Sequence, residues 1–152
     1  MTLQPDFVSP MPERQAESRS HIYGSEYRDG GGENSYIPGD NIHEHDAPCA
    51  VCLARRRTTV LMLPGASSCP VTDNWNREYS GFLMAARNDR RRSSYICVDG
   101  SAETSSNSGN SNELGDLLLF VEAHCNEDSA SGGLPCGPYV DGYELTCVVC
   151  TI

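Results

Sequence analysis

The sequence contains no lysine. All 11 of its basic residues are arginine, set against 21 acidic residues for a formal net charge of −10. A chain this acidic repels nucleic-acid phosphates over most of its surface, which argues against such a partner. Long apolar runs are missing as well: "LLLFV" at residues 117–121 is cut at once by Glu122, far short of the roughly 20 apolar residues of a membrane span. The opening "MTLQPDFVSPMPERQAESRS" has neither the basic stub nor the apolar stretch of an export signal, so such a signal is expected upstream of Met1 or not at all. No Gly-x-Ser-x-Gly elbow, HExxH pair or phosphate-cradling glycine loop occurs, and the expectation is a chain that is not an enzyme and needs no cofactor or metal.

What is present points to cross-linking. Eight cysteines in 152 residues, with 14 glycines and 9 prolines, predict a loop-rich domain held by disulfides, and disulfides persist in oxidising compartments. The length allows one ordinary domain or two small ones. Six of the arginines form two triplets, Arg55, Arg56, Arg57 and Arg90, Arg91, Arg92. Their plain reading is a solvated face, and their sharper one a contact for sulfated glycans or carboxylates, which guanidinium forks grip in pairs of hydrogen bonds.

The aliphatic, β-branched run at 58–63, stopped by Pro64 and Gly65, predicts a buried strand. Further strands are expected at 21–27, 93–98, 117–123 and 143–150. Only "WNREYSGFLMAAR" at 75–87 could pass for a helix, a reading that Ser80 and Gly81 weaken. The segment 1–20 is expected to be disordered, the "RDGGGENS" loop exposed, and the Ser, Asn and Gly tract at 99–115 mobile because it is too polar to pack. The fold class expected is mainly β, with short strands and long loops.

"CAVC" at 49–52 and "CVVC" at 147–150 are near copies. Residues three apart on a strand point to opposite faces, so each motif in a strand would send its two sulfurs to different partners. A zinc site from all four thiolates would need knuckle-like turns where "AV" and "VV" favour strands; the nearby "HEHD" at 43–46 is its only support. A thioredoxin-like redox pair is less favoured still, because neither motif leads into a helix. A local Cys49–Cys52 bridge, strained in a strand, would require a turn.

The string "PCAVC", "VLMLPG", "SCP", the following Trp75 and "EYSGFLM" resembles the seam between the two tandem repeats of the C-terminal non-collagenous domain of type IV collagen, and the final "TCVVCTI" resembles the end of its second repeat. With "YGSEY", "YICVD" and "LPCGPYVDGYELTCVVCT", the chain from about residue 21 onward is similar to the invertebrate short-chain collagen-like proteins, relatives of the spongin short-chain collagens. The resemblance implies a disulfide-rich, tandem-repeat fold and three bridges: Cys69 with Cys150, Cys97 with Cys147, and Cys125 with Cys136. It makes residues 1–52 the remnant of a first repeat and 53–152 a complete second one. Cys49 and Cys52 would then pair with cysteines upstream of Met1.

There is no Gly-X-Y tract for a triple helix. Without lysine, the family's methionine-to-lysine cross-link has no partner, so Met62 and Met84 read as core fillers. The function implied is a secreted extracellular-matrix module that associates with itself or with matrix proteins or glycans. A second reading is a soluble glycan-binding protein in which Trp75, Tyr79 and Tyr139 stack on sugar rings. A third, an acidic mineral-associated matrix protein, is favoured by net charge but weakened by the lack of Asp-rich runs.

Overall fold

The computed structural model describes residues 23–28, 42–87, 94–106, 108, 116–125 and 133–152. The expected disorder of 1–20, the exposed "RDGGGENS" loop beyond Arg28 and the Arg90, Arg91, Arg92 triplet lie outside them. The described residues hold six strands and no helix: β1 (Ser25–Arg28), β2 (Val60–Pro64), β3 (Asn76–Ala85), β4 (Ile96–Asp99), β5 (Asp116–Phe120) and β6 (Thr146–Thr151). All belong to one sheet of order β1-β5-β3-β6-β2, with β4 attached to β3 off this path.

The segment that could have passed for a helix is the longest strand, β3, and the hub of the sheet. Its apolar residues Tyr79, Phe82 and Leu83 recur at helical spacing, yet its partners come from far along the chain. One edge of β3 pairs with β6 over residues 76–82 and then with β5 at Met84 and Ala85. The other edge pairs with β4 over residues 81–84. Successive side chains of a strand alternate between its faces, and since the neighbours Leu83 and Met84 are both buried, β3 is covered on both faces at this point.

Met84 joins Tyr27 of β1 and Ile42 in the core cluster, with Phe82, Val98, Leu118 and Phe120 packed against it. Phe82 and Phe120 meet edge to face at 5.2 Å between centroids, a geometry the aromatic quadrupoles favour. Met84 thus fills the core, whereas Met62 on β2 is half-buried.

The stretch 42–47 runs beside β1. Tyr27 N–H donates to the His45 carbonyl at 3.0 Å, Glu44 N–H to the Tyr27 carbonyl at 2.9 Å, and Ala47 N–H to the Ser25 carbonyl at 2.8 Å. β1 in turn pairs in parallel with β5, so the described part of 1–52 and the later chain share one sheet. "HEHD" has a structural use here, since the Arg28 guanidinium donates to the Glu44 carboxylate.

The polar tract after β4 is anchored over its described part, contrary to the expectation of a mobile loop. Gly100 N–H donates to the Ser80 carbonyl, Ser105 N–H to the Asp46 carbonyl, both at 3.0 Å, and Ala102 packs on the core cluster. Backbone groups supply most of this anchoring, with Ala102 packing on the core beside them.

Candidate functional site

The second CxxC motif lies on β6, and its sulfurs diverge as strand geometry requires. Cys147 is joined to Cys97 on β4, and Cys150 to Cys69 in the connection between β2 and β3. Cys125 and Cys136 close a small loop after β5. These are the three pairs that the resemblance implies. Their loops span 81, 50 and 11 residues, and the loop-closure entropy each removes from the unfolded chain amounts to about 4.5, 4.1 and 2.8 kcal/mol taken singly. All three loops are nested, Cys125–Cys136 inside Cys97–Cys147 and that inside Cys69–Cys150, so these figures do not add.

The Cys97–Cys147 bridge joins strands on opposite sides of β3. Gly81 pairs with both Asp99 of β4 and Cys147 of β6. In a flat sheet two strands flanking a third lie roughly 9.5 Å apart, but the Cα atoms of Cys97 and Cys147 are 5.6 Å apart. The sheet is therefore rolled tightly around β3. Gly81 makes this possible: a Cβ there would fall 2.7 Å from the Asp99 carbonyl carbon and closer still to Val98 O and Gly100 N, all of them backbone atoms.

The first CxxC motif is different in kind. Cys49 and Cys52 carry free thiols and are exposed. With Cys147 and Cys150 oxidised, the four sulfurs cannot share a zinc ion, and among the described residues no group of three or more His, Cys, Asp or Glu side chains is placed to hold a metal. "CAVC" lies in an irregular segment, not a strand.

From Pro48 to Val60 every residue but Ala54 is exposed. The segment carries both thiols, the exposed apolar side chains of Val51, Leu53 and Val60 at 60, 83 and 68%, and Arg55, Arg56 and Arg57, the central one in the left-handed region at φ 60°. It runs directly into β2, which among the described residues pairs with β6 on one side only. A mixed apolar and cationic ribbon beside a strand with one open edge has the composition of a contact surface.

The three aromatic residues expected to stack on sugars do not line one described cleft. Trp75 and Tyr79 are half-buried, before and within β3, and the Tyr79 hydroxyl donates to the Cys97 carbonyl at 3.1 Å. Tyr139 instead lines an open cleft of about 340 Å³ with Pro64, Gly65, Tyr143 and Glu144. Tyr143 and Glu144 were not singled out by the sequence. Glu144 stands directly across from Glu122 in an isolated antiparallel bridge. The flanking bonds, Ala123 N–H to Tyr143 O and Leu145 N–H to Val121 O, make this the non-hydrogen-bonded pair, where side chains come closest and like charges repel.

Burial raises the Tyr79 phenol pKa above its ordinary value, with Asp99 and the sulfurs of Cys49 and Cys52 adding to the shift. The folded chain then holds the Tyr79 proton more tightly than the unfolded chain. The stabilisation is present in full below the ordinary phenol pKa of about 10 and is lost as pH rises through the raised folded value. In an absorbance titration of the phenolates, Tyr79→Phe is expected to remove a late-ionising tyrosine; removal of an early-ionising one would contradict the burial argument.

No helix among the described residues is long and apolar enough to cross a membrane. No protein-family model matches the chain, and no solved structure matches it.

Proposed function

We propose that the chain is a non-catalytic, secreted extracellular-matrix module that acts by associating with itself or with matrix components. The observation that carries this reading is the set of three bridges around one sheet, which suits an oxidising compartment and repeats the connectivity implied by the likeness to the non-collagenous domain of type IV collagen. The exposed ribbon at 48–60 supports it by offering apolar and guanidinium groups at the surface. On this reading residues 1–52 belong to a first repeat and 53–152 to a second.

The test is binding of the unreduced chain to immobilised matrix proteins and sulfated glycans, alongside its oligomeric state without ligand. Concentration-dependent oligomers, or capture by matrix proteins, are expected; a monomer that binds none of these would contradict the proposal. A glycan-binding role is the second reading, favoured by the cleft where Tyr139 and the exposed Tyr143 stand together. Glycan capture that is lost on replacing Arg55, Arg56 and Arg57 by alanine would favour it over assembly.

A further inference from the structure

Among the described residues, the outer edge of β2 has an unused hydrogen-bonding face. Thr59 and Ile152 exchange both backbone bonds, and Gly65 N–H donates to Thr146 O. The antiparallel register of β2 with β6 then directs the backbone groups of Leu61 and Leu63 inward and those of Val60 and Met62 outward. Among the described residues no strand pairs with β2 on that outer side. The strand carries no charged residue, and its protection from further pairing is limited to Pro64 and its short length.

We propose that a second copy of this chain occupies this edge, β2 lying antiparallel to β2 about a two-fold axis through Leu61. The inference rests on the self-association reading above and gives it a surface. In this register Val60 of each copy faces Met62 of the other, and four backbone bonds form, two from each pair. Pro64, which has no N–H to donate, falls opposite Thr58, whose N–H is already bonded to Ile152 O at 2.8 Å. No edge donor is wasted.

The charges agree with the same register. The segment Arg55 to Arg57, which precedes β2, is brought in one copy towards the far end of the other copy's β2, where Pro64 and Gly65 line the cleft that contains Glu144. The repelling pair Glu122 and Glu144 thereby gains the guanidinium groups of Arg55 to Arg57, all exposed in the single chain. For a chain of net charge −10, the approach of two copies is eased where such a basic patch meets an acidic one.

Sedimentation equilibrium on the full, unreduced chain tests the proposal. A monomer–dimer equilibrium is expected, weakened about tenfold or more by Val60→Lys, which sets a charge on an already exposed edge position. Arg57→Glu and Glu144→Arg are each expected to weaken it, and their combination to restore it to within about threefold. Near-ultraviolet circular dichroism and an unchanged disulfide map verify that each variant folds. Dimers indifferent to Val60→Lys, or a charge swap that fails to rescue, would overturn this interface while leaving self-association standing. A monomer at every concentration would overturn it too, with matrix binding then deciding the wider reading. So would a monomer whose Val60 and Met62 amides resist hydrogen exchange, because another part of the same chain would then cover the edge.

Discussion

Gly81→Ala is expected to cost about 3 kcal/mol or more, the upper end for overpacking, because the added methyl meets backbone that cannot rotate away. The atoms in its path are Val98 O, the Asp99 carbonyl carbon and Gly100 N, at the point where β4 crosses closest to β3. Relieving the clash means lifting the end of β4 from its register with Phe82 and Gly81 and straining the bridge from Cys97 to Cys147. Gly24 is the matched control, with no atom within 4 Å of a Cβ built there, and Gly24→Ala should stay within about 0.5 kcal/mol. Urea denaturation with disulfides intact measures both. Equal midpoints for the two variants would show that the close approach at Gly81 is not a constraint.

The second large effect is expected on removing the bridge that crosses β3. Cys97→Ala with Cys147→Ala frees a 50-residue loop inside the intact Cys69–Cys150 bridge, a loss of at most about 4 kcal/mol before any cavity at the fully buried Cys147 is counted. Against a typical stability of about 5–15 kcal/mol, that leaves little margin. Cys125→Ala with Cys136→Ala opens only an 11-residue loop and should cost about 2.8 kcal/mol. Hydrogen exchange distinguishes the mechanism: without the Cys97–Cys147 bridge, the β4 amides should lose protection ahead of those of β2 and β6. Uniform loss across the sheet would mean that the bridge stabilises the whole fold and does not hold β4 in particular.

The parts of the fold legible in the sequence are those where one local signal sufficed. β2 and β6 announce themselves as β-branched and aliphatic runs ended by Pro64 and by the "CVVC" spacing, whose three-residue step implied divergent sulfurs. β3 was less legible because Tyr79, Phe82 and Leu83 fit a helical face as well as a two-sided strand. What decides between them is pairing with β4, β5 and β6, none of which is local. The anchoring of Gly100 and Ser105 was hidden for a related reason, since backbone bonds to Ser80 and Asp46 leave no trace in side-chain polarity. Gly81 looked like a helix breaker and is instead the residue that lets two strands close over a third. Of the candidate contact surface, Arg55, Arg56 and Arg57 were visible as a charge cluster; the Glu122–Glu144 opposition appears only once 121–123 and 143–145 are brought side by side.

Disulfide mapping by mass spectrometry, on protein isolated from its natural source without reduction and alkylated before digestion, tests the central claim most directly. The account predicts Cys69 linked to Cys150, Cys97 to Cys147 and Cys125 to Cys136. Cys49 and Cys52 should be alkylated without prior unfolding, as their exposure requires. Reduced thiols at Cys147 and Cys150, above all with a stoichiometric metal ion, would contradict both the stapled sheet and the extracellular module built on it.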